Sequence, residues 1–188
     1  VELALANFPG WTGRSGVVPN GAYIEYWPAL VDSKFIKEHI HVDGKIIDVI
    51  PTSQLNLEEK YYQKIPYENP KISIDNLKED YFGKIFGTRS GDKGGCANLG
   101  VWAKSQEAYS FLFDFLTVKK LKELLPDLEK FEIDRFELPN IYSLNFYVHG
   151  ILQDGVSSST RMDGQAKSLG EYLRAKKINF PEQLLKQI

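Results

Sequence analysis

The sequence predicts a two-layer α/β sandwich on a mainly antiparallel sheet, preceded by an extended strand and hairpin arm. Three observations carry this reading: the order β-β-α-α-β-β-α from about residue 81 onward, the scarcity of helical periodicity before it, and a hairpin signal at Asp43-Gly44. Strands alternating singly with crossover helices would indicate a doubly wound nucleotide fold; strands in pairs indicate an antiparallel sheet with helices on one face. The expected division is an arm over 1–80, completing a preceding domain or a partner subunit, and a small α/β domain over 81–188.

Within the arm, VELALA followed by Asn7, Pro9 and Gly10 reads as a short strand ended by a turn, and WTGRSGVVPNG as loop. FIKEHIHVDGKIIDVI is the clearest local element, because Asp-Gly suits a two-residue hairpin turn. Pairing Val42 with Lys45 sets Ile40 against Ile47 and His39 against Asp48, giving one apolar and one more polar face. Such a ribbon needs a covering surface. Residues 51–80, with Pro51, Pro66 and Pro70 among tyrosines, read as an extended connector crossing a neighbouring domain or subunit. Tyr23, Tyr26, Trp27, Tyr61, Tyr62 and Tyr67 suit an interface, since aromatics with polar tips favour one.

In the domain, KIFGTRS and ANLGVWAK read as strands flanking a glycine-rich turn. Ser105 is placed to cap a helix through Phe115, and Thr117 to cap the next, whose Val118, Leu121, Leu124 and Leu125 form an apolar stripe ending at Pro126. FEIDRFEL and YSLNFYVHG follow as strands, the second with Leu144, Phe146 and Val148 on one face and Asn145, Tyr147 and His149 on the other. A final helix is expected over about 161–176, with Thr160 and Asp163 at capping-box spacing.

Composition narrows the function. A chain of 188 residues with net charge −2 has room for a core but lacks the overall charge of a general nucleic-acid or anionic-membrane binder. Cys96 is the single cysteine, so neither a disulfide nor an all-cysteine zinc site is available within the chain. No run approaches the roughly 20 apolar residues of a membrane span, and a cytoplasmic location is expected. The start at Val1, inside an apolar run, is expected to be a cut from a longer polypeptide.

The chemistry concentrates in GTRSGDKGGCAN. Glycines permit close ligand approach, while Arg89, Ser90, Lys93 and Asn98 can grip a carboxylate or phosphate. The alternative is a hairpin loop whose glycines serve geometry alone. It is no phosphate loop of the NTPase kind: Asp92 stands where a second glycine is required, and no Ser or Thr follows Lys93. A second polar cluster holds Ser158, Ser159, Arg161 and Asp163 where loop gives way to helix. If the two clusters meet, Arg89, Ser90, Lys93, Asn98, Ser159 and Arg161 bind the anion, with Asp92 and His149 as the acid-base candidates. His39, His41 and Asp48 are ligand types for zinc or iron, but a cross-strand polar pair is the simpler account, so no metal is assigned. Cys96 lacks an identifiable histidine partner and is read as an inert thiol.

GTRSGDKGGCANLGVWAK, FLTVKKLKELLP, FELPNIYSLNFYVHGIL and GVSSSTRMDGQAKSLGEYL together, over roughly 82–174, resemble the small C-terminal domain of the acyclic terpene utilisation, or AtuA-like, family. VELALANFPG is similar to the end of the large domain that precedes it there. The resemblance implies a ferredoxin-like sandwich, a carboxy-terminal portion or one product of a divided protein, and association with the degradation of citronellol- and geraniol-like compounds as coenzyme A thioesters. The family's polar loop falls on Arg89–Gly94, Ala97 and Asn98, with Cys96 where many relatives carry asparagine.

The leading expectation is a small domain or subunit of a catabolic protein acting on acyclic terpenoid or other carboxylate or acyl-CoA compounds, working with a large domain or separate subunit in an oligomer. The alternative is a non-catalytic interaction and oligomerisation module of a larger enzyme. The first requires the two polar clusters to converge on a pocket; the second requires them to be covered by protein or to diverge.

Overall fold

The computed structural model describes residues 29–49 and 67–186, which fall into two compact units divided after Tyr67. The expectations for VELALA, WTGRSGVVPNG, Tyr23–Trp27 and most of the connector, including Tyr61 and Tyr62, lie outside the described residues.

The first unit contains β1 (Glu38–Val42) and β2 (Lys45–Val49), antiparallel with Val42 opposite Lys45, Ile40 opposite Ile47 and His39 opposite Asp48, the predicted register. Asp43 and Gly44 have φ of 48° and 73°, the two positive values that a type I′ turn requires. His39 Nδ1 meets Asp48 Oδ1 at 2.8 Å across the strands.

The second unit is built on a four-stranded antiparallel sheet. Its strands are β4 (Gly87–Lys93), β5 (Cys96–Trp102), β6 (Ile133–Leu138) and β7 (Ser143–Val148), in spatial order β4-β5-β7-β6. Two helices, α2 (Gln106–Phe115) and α3 (Val118–Leu124), carry the chain from β5 past β7 to β6. The Ser105 and Thr117 side chains accept from Ala108 N and Lys120 N, the helix-starting caps expected of them. The result is the two-layer ferredoxin-like sandwich, with helices on one face of the sheet. Strand alternation directs Ala97, Leu99, Val101, Leu144, Phe146 and Val148 into that helical layer, all fully buried. Arg135, on the same face of β6, anchors α2 by donating from Nη2 to the Phe113 carbonyl at 2.7 Å and from Nε to that of Leu116 at 3.2 Å.

A further pair lies outside this sheet: β3 (Leu77–Tyr81) runs antiparallel to β8 (Lys177–Pro181), flanked by the short helices α1 (Phe82–Ile85) and α5 (Glu182–Leu185). Phe180 packs against Phe86 and Phe111 with ring centroids 5.9 and 5.8 Å apart, joining this pair to α2.

Two local expectations change. The glycine-rich stretch is strand almost throughout, turning only at Gly94 and Gly95, with Gly94 at φ +60°. Gly87 serves packing: a Cβ there would fall 2.2 Å from Cε2 of Trp102, whose indole lies across it. Continuous pairing with β5, from Gly87 opposite Trp102 to Lys93 opposite Cys96, outweighs glycine's poor strand preference. The final helix shrinks to α4 (Leu169–Arg174). Asp163 does not pair back to Thr160 as a capping box; its carboxylate accepts from Lys167 N at 2.8 Å and Ser168 N at 3.1 Å, and Ala166 takes φ +52°. Side-chain to backbone bonds of this kind compete directly with the helical ladder.

Candidate functional site

The segment between β7 and α4 is held to β4 and to the Gly94-Gly95 turn. Leu152 N donates to Gly95 O at 2.8 Å, and a Cβ on Gly95 would lie 2.1 Å from Gln153 O, so the two turns touch through backbone. Ser90, nearly fully buried, donates to Lys167 O at 3.1 Å and accepts from Gly170 N at 2.9 Å. Gly170 lets α4 approach closely, since a Cβ there would meet Thr88 Oγ1 at 2.8 Å. Ser90 therefore fixes the start of α4 upon β4.

Past this anchor a cavity of about 420 Å³ opens between the end of α3, the 161–163 turn and α4. Leu125, Met162 and Leu169 give its wall apolar character; Arg161, Ser168 and Tyr172 bring donors, and Asp127 and Asp163 bring carboxylates. Both oxygens of Asp163 are engaged by Lys167 N and Ser168 N, which reduces their weight in the cavity. Arg161 has an Nε buried without a hydrogen-bond partner among the described residues. A buried donor of this kind is costly until something accepts from it. The turn presenting Arg161 is itself stitched together: Ser159 Oγ accepts from Arg161 N at 3.3 Å, Ser159 N donates to Gly155 O at 2.8 Å, and Ser158 Oγ donates to the same carbonyl at 3.2 Å.

The other predicted residues stand elsewhere. Alternation along β4 turns Ser90 and Asp92 toward the helical layer and Arg89 and Lys93 to the reverse face, with Lys93 Nζ donating to Asp92 O at 2.8 Å. Asn98 and His149 share that reverse face. Asn98 Nδ2 reaches Asn145 Oδ1 at 3.4 Å, a weak bond, and His149 Nε2 meets Asp134 Oδ2 at 2.8 Å while its ring stands edge-on to Tyr147. None of Arg89, Ser90, Asp92, Lys93, Asn98 and His149 lines the cavity. Ser90 and Arg161 are thus joined through the α4 anchor, while Arg89 and Lys93 are separated from Arg161 by the sheet.

Tyr147 and Cys96 form a second small cluster that residue types alone did not reveal. The Tyr147 phenol is pushed above its ordinary range, first by its hydrogen bond with the Cys96 thiol, then by burial and by the charges of Cys96 and Asp134. Gly150 N donates to Cys96 Sγ at 3.4 Å, so the thiol is held from two sides. Within the cavity, Leu125 and Tyr172 were also missed. Their signals were a helix stopped by Pro126 and a tyrosine three residues beyond Leu169, on the same helical face. Among the described residues no group of three His, Cys, Asp or Glu side chains stands close enough to hold a metal ion, and no helix is long and apolar enough to cross a membrane.

An antiparallel sheet layered by helices, with a half-apolar cavity at the foot of α4, defines a small α/β module of the ferredoxin-like kind. Residues 82–179 match the AtuA ferredoxin-like domain, and the chain belongs to that family. Membership supports a catabolic or accessory role in the metabolism of acyl compounds in general. Neither a curated protein nor a solved structure matches the chain.

Proposed function

We propose that this protein is the small domain or subunit of a catabolic system acting on acyclic terpenoid or other carboxylate or acyl-CoA compounds, and that the cavity at Arg161 receives their anionic group. The observation that carries the reading is the buried, unpartnered Nε of Arg161 beside the apolar wall of Leu125, Met162 and Leu169. A guanidinium forks onto a carboxylate through paired N–H donors, and the apolar wall suits a branched hydrocarbon tail. Asp127 at the cavity raises selectivity against compact polyanions by like-charge repulsion. Catalysis belongs to the assembled system, formed with a large preceding domain or a separate subunit. In the acid-base roles, Asp92 and His149 act on partners outside this cavity, because they stand on opposite faces of the sheet.

The test is titration of citronellate, a branched ten-carbon carboxylate, into the full chain by heteronuclear NMR. Shifts centred on the amides of Arg161, Ser168 and Leu169 are expected, weakened at least about tenfold by Arg161→Gln through loss of a charge-assisted pair. An Arg89→Ala, Lys93→Ala double variant should bind as the wild type does. Equal binding by Arg161→Gln, or no binding by the wild type, overturns the proposal.

A further inference from the structure

The outer face of the four-stranded sheet carries an ordered pattern of its own. At one end Trp102, Phe136 and Leu138 are 39, 51 and 42 % exposed, and Ile141 just beyond is 64 % exposed. Charges are separated between the two edge strands: Arg89 and Lys93 stand on β4, and Asp134 stands on β6. Cross-strand register sets the rows. One reads Gly87, Trp102, Ser143, Leu138, and the next Arg89, Gly100, Asn145, Phe136.

A partner for this face must be acidic where β4 is basic, basic where β6 is acidic, and apolar at the Trp102 end. Nucleic acid and anionic membrane carry a single sign of charge and meet only the first condition. The chain's own outer face meets all three. From that complementarity we infer that the outer face is a two-fold interface between two copies of this chain, with the axis running between the sheets and parallel to their strands.

Such an axis lays β4 over the partner's β6 and β5 over its β7, and it preserves the rows. Aligned sheets pack about 10 Å apart, a gap that interdigitating side chains fill. Arg89 then meets the ring of the second copy's Phe136, a favoured cation-aromatic pairing. The carboxylate of the second copy's Asp134 lies two residues along the same strand, roughly 7 Å away and within the reach of an arginine. Asp134 holds His149 through Oδ2, which leaves Oδ1 for this contact. In the neighbouring row Leu138 of the second copy comes down where Trp102 lies flat across Gly87, so the indole is the shelf on which it rests. The two-fold repeats every contact, which makes the interface isologous and closed. The Arg161 cavity lies on the helical side and takes no part.

The test is charge reversal followed by charge exchange, read as mass by sedimentation velocity on the full chain at moderate salt. The wild type is expected to sediment as a dimer. Arg89→Glu and Asp134→Arg, each alone, should weaken dimerisation about tenfold or more, because like charges then face across both symmetry-related contacts. The double variant, with the charges exchanged, should recover a dimer. Circular dichroism of each variant establishes that the fold is retained, as both side chains are exposed. A monomeric wild type, a dimer indifferent to both single reversals, or a double variant no better than the singles would each overturn the interface.

Discussion

The two faces of the four-stranded sheet come from the same alternating strands and have opposite characters. On the inner face Leu99, Val101, Leu144 and Phe146 are fully buried under α2 and α4, and even the polar Ser90 is bonded to Lys167 and Gly170. On the outer face Arg89, Trp102 and Phe136 are exposed, and Asn98 reaches Asn145 only weakly, at 3.4 Å. The inner face spends its side chains on holding one chain folded. The outer face leaves aromatic and charged groups available for contact, the combination that marks surfaces used between molecules.

The sharpest way to break that contrast is to cut equivalent rings from each face. Phe146→Ala removes a fully buried ring and should lower unfolding free energy by ~3–5 kcal/mol in urea denaturation. Phe136→Ala, at 51 % exposure, should change it by no more than about 0.5 kcal/mol, with protein dilute enough to be monomeric. A comparable loss for both would mean that the outer face is also core.

A smaller effect separates neighbours on one strand. Ser90→Ala leaves Gly170 N without its acceptor in a buried place and should cost ~1–3 kcal/mol, whereas Arg89→Ala should leave folding unchanged. The loss at Ser90 should also loosen the Arg161 cavity, since Ser90 ties the start of α4 to β4. Amide exchange at 168–172 checks this: faster exchange in the Ser90 variant alone is expected.

Much of this architecture was legible because it rests on short-range rules. The Asp43-Gly44 turn dictated its register, Ser105 and Thr117 announced their helices, and the alternation of Leu144, Phe146 and Val148 gave the faces of β7. What escaped depends on contacts distant in sequence. Pairing of β3 with β8 joins residues about a hundred positions apart, with Leu77 opposite Pro181. Gly91 reads as part of the turn, yet it is strand because it pairs opposite Asn98 of β5. The helix expected from residue 161 fails because Asp163 bonds forward to Lys167 and Ser168. Of the site, Arg161 and its serine turn were visible as a polar cluster. The apolar half was not, because Leu125 and Leu169 meet only once α3 and α4 are packed.

The smallest effect probes the outer face where Tyr147 bonds to Cys96. Its phenol is raised above the ordinary value of 10.0, so the folded chain keeps this proton to higher pH than the unfolded chain does. The linked stability is intact below that ordinary value and falls as pH rises through the raised one. Cys96→Ala removes the largest cause of the shift and should return the titration toward 10.0, with a shallower alkaline loss of stability. NMR titration of carbon-labelled tyrosine isolates this ring from the others. An unmoved Tyr147 titration in the Cys96 variant would assign the shift to burial and to Asp134, and this corner of the outer face would then owe its character to the sheet rather than to the thiol.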